Sequence, residues 1–227
     1  MKNDELGNGR QRYFSKRYLT EKRWATYSEL IKRVLELNPV RILEIGMGNH
    51  LVADILEKMG YYIKVLDYDK SLNPDYVLDV RDKKILDFKD QFDLIISSQT
   101  FEHIKYSEYL EVISNLSLIT KNLIITLPYC NRHSYILSFS INFPYFKADY
   151  VNVNYINVRA GKKFYYKKSP PDYNRKHCWE IGTKGFPPRK IKKDIKKKGW
   201  IIKKSFFNQN NPYHYFFILI SKNHFKK

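Results

Sequence analysis

A doubly wound α/β sheet is the fold class predicted by this chain of 227 residues. Three observations predict it. An apolar run, Ile42-Leu43-Glu44-Ile45, ends in a Gly46-Met47-Gly48 turn and passes into a segment with Leu51, Val52, Ile55, Leu56 and Met59 at helical spacing. A second apolar run, Tyr62–Leu66, ends in Asp67, about twenty residues beyond the glycines as in nucleotide-binding strand–turn–helix units. Strand-like and helix-like runs then alternate as far as Pro128, the pattern of a parallel sheet covered on both faces.

Taken in order, residues 1–39 form a helical arm or lid. Within it, Arg10–Arg23 carries Tyr13, Phe14 and Tyr18. Thr26-Tyr27-Ser28-Glu29 has capping-box spacing, and Ile31, Val34 and Leu35 give the following helix an apolar face that ends near Asn38-Pro39. Residues 40–129 hold the strand–turn–helix core. In the turn, glycine removes the Cβ and permits positive φ, so the backbone can approach a ligand. The dinucleotide fingerprint requires a third glycine where Leu51 stands, so a pyrophosphate is not the expected ligand. Asp67 is placed for ribose hydroxyls. Tyr76-Val77-Leu78-Asp79 is a short third strand with another terminal acid, Gln91–Ser98 a fourth, and Leu123–Leu127 a fifth.

Residues 130–186 lose simple periodicity. They are aromatic, basic and broken by Pro144, Pro170 and Pro171, which points to an inserted acceptor-binding lobe, with Tyr150–Val158 as a strand. Residues 187–227 resume order. Pro187-Pro188 opens a helix carrying Ile191 and Ile195, Gly199 closes it, and Trp200–Phe207 and Tyr213–Ser221 form an antiparallel pair linked by Asn208–Pro212.

Four groups of residues, in this order, carry a resemblance: Glu44 with Gly46 and Gly48; Val65 to Asp67; Asp79 with Phe88; and Phe92-Asp93 through Phe101-Glu102-His103. Over residues 40–130 the chain resembles the class I S-adenosylmethionine-dependent methyltransferases, in particular the methyltransferase type 11-like group. It departs from them at His50, where members often carry a further glycine. The resemblance implies a Rossmann-like sheet of seven mostly parallel strands with an antiparallel C-terminal strand. It implies S-adenosyl-L-methionine as cofactor, touched by Glu44, Gly46 and Gly48, with Asp67 on the ribose, Asp79 on the adenine side and Gln99 on the pocket floor. Acidic strand ends suit that ligand, which is cationic at sulfur and nitrogen and has no pyrophosphate to seek a helix N-terminus.

Composition narrows the setting. With 43% apolar residues the chain can fill a core, and no run approaches the roughly 18 apolar residues of a membrane span. Met1–Lys22 lacks the apolar stretch of a signal peptide, and two cysteines, Cys130 and Cys178, make no disulfide framework; a reduced cytoplasmic protein is expected. The net charge of +18 is uneven. Residues 151–227 hold 20 Lys and Arg against 3 acids, which points to an anionic partner on that side.

Methyl transfer chiefly requires the acceptor to be held at near-attack distance and one proton to be managed. His103, just beyond the fourth strand, is the expected base. The cluster Arg175-Lys176-His177-Cys178-Trp179-Glu180 offers anion-binding groups, a second imidazole and an aromatic wall, so Arg175, His177 and Trp179 are expected at the acceptor, with Tyr129 lining its pocket. His50 is a candidate for the methionine tail or for helix capping. No convincing metal set is found, and no metal is expected. Ser98-Gln99-Thr100-Phe101 stands where base-amino methylation expects Pro-Pro-aromatic, and no Pro-Cys dipeptide offers a covalent nucleophile. O-methylation of a small anionic or glycan-type acceptor, or methylation of a simple amine, remains. The alternatives are an RNA methyltransferase using Lys162–Lys168 on phosphates and bases, and a non-catalytic scaffold.

Overall fold

The computed structural model describes residues 13–15, 18–130, 133–141, 151–159 and 177–224. Helix α1 spans Glu21–Leu37, six residues longer at its start than the Thr26 motif predicts. Thr20 is the true N-cap, accepting the Arg23 N–H at 3.3 Å, whereas Thr26 lies buried inside the helix and donates its hydroxyl to the Lys22 carbonyl. The earlier cap won because it satisfies an orphan backbone donor directly.

Strand β1 (Arg41–Ile45), helix α2 (Leu51–Lys58) and strand β2 (Tyr62–Asp67) form the expected entry unit. They are followed by β3 (Tyr76–Val77), β4 (Leu94–Ser98), helix α3 (Tyr106–Ile119) and β5 (Asn122–Pro128). After the insertion come helix α4 (Pro188–Lys197) and strands β8 (Trp200–Phe207) and β9 (His214–Ser221). These strands make one seven-stranded sheet in the order β3-β2-β1-β4-β5-β9-β8, parallel except for β9. It is the Rossmann-like arrangement that the resemblance implied.

Both faces of the sheet are covered, which explains why its strands read as continuous apolar runs. The pleat sends alternate residues to opposite sides. Leu43, Ile45, Ile95, Leu123 and Ile125 pack with Val112 and Leu116 of α3 and Ile191 and Ile195 of α4. Ile42, Ile96 and Ile124 pack with Leu30 and Val34 of α1 and Val52 and Leu56 of α2. Between β5 and α4, strands β6 (His133–Ile141) and β7 (Val151–Arg159) pair antiparallel as a separate two-stranded sheet. The β7 alternation was predicted. Its partner was not, because Ile136-Leu137 interrupts the alternation on β6. Arg175 and Lys162–Lys168 lie outside the described residues. Among the described residues no helix is long and apolar enough to cross a membrane.

Candidate active site

The strand order reverses between β1 and β4, and in open α/β sheets a ligand crevice forms beyond the carboxyl ends of the strands at such a point. Glu44, Asp67 and Asp79 sit at or just past the ends of β1, β2 and β3, three neighbours in the sheet. The turn after β1 is shaped by Gly46, whose φ of +86° is in the left-handed region and whose N–H donates to the Leu66 carbonyl at 2.9 Å. A Cβ there would collide with the Thr100 side chain, whose Oγ1 donates to the Ile45 and Ser98 carbonyls. Asp67 braces the same turn from the other side. Its Oδ2 accepts the Met47 N–H and its Oδ1 the Asp69 N–H, both at 2.9 Å. A carboxylate has about four acceptor sites, so capacity remains for a hydroxyl of a ligand.

Glu44 is buried, and its Oε2 has no hydrogen-bond partner among the described residues. Burial pushes its carboxyl up to about 8; the charge of Asp54 adds to this, the Ala53 N–H opposes it, and Asp67 raises it further. Glu102 is likewise raised to about 8, chiefly by burial. An unpaired buried acid of this kind is stabilised in its ionised form by a cation, which is what a sulfonium amino acid would supply beside Glu44. The raised values also fix a pH dependence. Both acids titrate near 4.5 when unfolded and near 8 when folded, so their contribution is intact below about pH 4.5 and is lost as pH rises through 8. The urea midpoint is expected to fall between pH 5 and 8, and Glu44→Gln to flatten that fall by an amount on the order of a few kcal/mol at pH 8. Identical pH profiles for the two proteins would refute the assignment.

The remaining predicted cofactor residues follow the same edge. Gly48 has φ +56°, and the side of it that a Cβ would occupy faces the Tyr18 hydroxyl. Tyr27 of α1 donates to Asn49 Oδ1 at 2.9 Å, tying the N-terminal helix to the glycine turn. His50 makes no capping bond; its Nδ1 pairs with Asp54 Oδ1 at 2.6 Å. Asp79 is engaged by Arg81, whose guanidinium holds its carboxyl below the usual range. Nothing in the spacing of the acidic strand ends points to that arginine. Gln99 adopts φ +55° and is anchored on β5, its N–H donating to the Thr126 carbonyl at 3.1 Å and its Nε2 to Thr126 Oγ1 at 3.3 Å.

Two candidates far apart in sequence come together. His103, at the end of a 3-10 turn over Phe101–His103, meets His177 edge to face with ring centroids 4.8 Å apart. The returning chain is stitched in place by the Cys178 N–H donating to the Glu102 carbonyl at 2.7 Å and by a parallel bridge between Tyr129 and Ile181. His177 Nδ1 lies 2.8 Å from Glu180 Oε1, which also accepts the Tyr213 hydroxyl at 2.6 Å. Two residues expected at the acceptor are buried. Trp179 is 1% exposed, packs on Tyr106, Tyr109 and Phe186, and donates Nε1 to the Ile104 carbonyl, because its area is worth more in the core. Tyr129 is buried between Phe207 and Tyr215. Glu102, fully buried, and Tyr213 were overlooked as site groups. Their signal was a charged residue directly after Phe101 and an aromatic at the mouth of β9.

Residues 17–158, well over half of the chain, match the family described as a methyltransferase domain. The chain belongs to the methyltransferase domain family. No curated protein matches it. Solved structures share the fold at low identity. Magnesium protoporphyrin IX methyltransferase from Synechocystis PCC 6803, with bound S-adenosylmethionine, aligns with TM-score 0.56 at 10% identity over 94% of this chain and 89% of its own. A glycopeptide N-methyltransferase complexed with S-adenosylmethionine gives 0.54 at 11% identity over 86% and 93%. The PH0226 protein of Pyrococcus horikoshii OT3 gives 0.54 at 14% identity over 92% and 93%. For a methyltransferase domain, the glycine turn and the acidic strand ends fall where the fold's ligand crevice lies.

Proposed function

We propose that this methyltransferase uses S-adenosyl-L-methionine to O-methylate a small anionic or glycan-type acceptor, such as a sugar or sugar phosphate. The observation that carries the cofactor reading is the buried Glu44, one of whose oxygens has no partner among the described residues, beside Asp67 and the Gly46 turn, a socket for a cationic nucleoside. When bound, the cofactor supplies a methyl group made electrophilic by a positively charged sulfur. Glu44 offsets the ligand's positive charge. Gly46 and Gly48 leave the backbone open to it, Asp67 accepts from its hydroxyls, and Asp79 and Gln99 border the adenine and the floor. The acceptor sits on the side of His103 and His177. His103 takes the proton of the acceptor hydroxyl.

Calorimetric titration with S-adenosylhomocysteine and with NAD tests the cofactor; binding of NAD alone would overturn it. Turnover is then measured on sugar phosphates and sugar nucleotides. His103→Ala is expected to lower turnover about 10²–10⁴-fold with cofactor affinity retained, and a loss below threefold would remove His103 from the chemistry.

The RNA reading draws support from one surface. Arg189, Lys192, Lys193, Lys196 and Lys197 of α4, with Lys222, line a basic concavity of about 670 Å³. Single-stranded RNA binding that weakens steeply with salt, together with methylation of that RNA, would favour this reading over the sugar acceptor.

A further inference from the structure

We propose that Glu102, His103 and His177 form a binding site for a divalent first-row transition-metal ion. One ligand atom from each residue lies within 4.8 Å of the other two. Donors bound at about 2.0–2.2 Å to a common ion sit about 3–4 Å apart, and His177 Nε2 is already 3.8 Å from Glu102 Oε1. Small side-chain rotations therefore close the set.

Three independent features of the surroundings point to a cation. Glu102 is 0% exposed, and neither carboxylate oxygen has a hydrogen-bond partner among the described residues. A buried carboxyl left this way ionises readily only when a positive charge compensates it. His177 is held from behind, as a ligating imidazole is. Its Nδ1 bonds Glu180, and Glu180 is itself fixed by Tyr213. A proton held on Nδ1 leaves the Nε2 lone pair available on the Glu102 side. The two halves of the set are also locked together by backbone, through the Cys178 N–H on the Glu102 carbonyl.

The donor types select the ion. Two imidazoles and one carboxylate suit zinc, manganese, iron or cobalt, whereas calcium and magnesium favour all-oxygen sets. Three protein ligands leave coordination positions open for a small molecule. The site lies beyond the carboxyl end of β4, beside the strand that carries Glu44. Its role in catalysis rests on the methyltransferase reading above. An acceptor hydroxyl drawn to the cation ionises more easily and releases its proton to water. The O–C bond then forms as the S–C bond of S-adenosylmethionine breaks, and that electron pair stays on sulfur. His103 acts as a ligand in this arrangement, and water replaces it as the proton acceptor.

The test uses tag-free, full-length protein treated with chelator and titrated with Zn²⁺, Mn²⁺ and Co²⁺ by calorimetry, with Co²⁺ also followed by its visible absorption. One ion per chain is expected. Glu102→Gln and His177→Ala should each weaken it at least 10²-fold, and Glu180→Gln by about 10-fold or more through its hold on His177. Circular dichroism and S-adenosylhomocysteine binding check that each variant is folded. Absence of stoichiometric binding, or binding that survives both Glu102→Gln and His177→Ala, overturns the site. S-adenosylhomocysteine binding without metal binding sinks this proposal and leaves the methyltransferase reading standing. Metal binding without S-adenosylhomocysteine binding supports the site and sinks that reading instead.

Discussion

Asp67→Ala is expected to weaken S-adenosylhomocysteine binding by about 10²-fold or more. Two losses combine. A hydrogen bond to a charged group contributes about 1.5–3 kcal/mol, and the ribose would present hydroxyls to the acceptor capacity of Asp67 that its backbone donors leave unused. The same carboxylate positions the Gly46-Met47-Gly48 turn by accepting the Met47 N–H, so its removal also loosens the backbone that the cofactor must meet. Asp67→Asn, which keeps one acceptor oxygen and introduces a donor against a backbone N–H, should fall between wild type and alanine. Unchanged affinity by calorimetry in the alanine variant would remove the cofactor assignment.

Gly46→Ala should be the most destabilising single methyl addition in the cofactor half, by about 2–5 kcal/mol. Left-handed backbone costs a side-chain-bearing residue roughly 1–3 kcal/mol, and overpacking against Thr100 adds a similar amount. Gly60→Ala is the matched control. Gly60 also has positive φ, at +92°, but a Cβ there would meet nothing within 4 Å, so only the backbone part applies. Adding Thr100→Ala to Gly46→Ala should restore part of the loss. Equal urea midpoints for Gly46→Ala and Gly60→Ala would show that the β1 turn is not closely packed on Thr100.

Parts of this molecule were legible because local chemistry and global fold agree in them. The Ile42–Gly48 run is apolar, strand-like and then glycine-bearing, and each feature has one structural use. The C-terminal hairpin was equally plain, since Asn208–Pro212 cannot continue a strand and both flanks are apolar. The start of α1 was misplaced because Thr26-Tyr27-Ser28-Glu29 has the same spacing as a cap, yet Thr26 faces His214 Nδ1 at 2.9 Å inside the core. Burial holds that imidazole neutral, with its pKa lowered to about 3. Trp179 was misjudged for a related reason: a tryptophan in a basic stretch reads as a binding wall until its neighbours are known. The Glu102–His103–His177 grouping had no spacing signature at all. It exists because the returning chain passes the turn after β4, where the Cys178 N–H meets the Glu102 carbonyl.

That return has a wider meaning. The Ile181 N–H donates to the Pro128 carbonyl at 3.0 Å and the Cys130 N–H to the Ile181 carbonyl at 2.8 Å, so the excursion over residues 131–176 departs and re-enters through a single stitched seam. For a segment closed this way, each doubling in length costs only about 0.6 kcal/mol of loop entropy. Such a cassette can be enlarged, trimmed or exchanged while the seven-stranded scaffold keeps its register. The length of the excursion and the register of the sheet can therefore vary independently within one polypeptide.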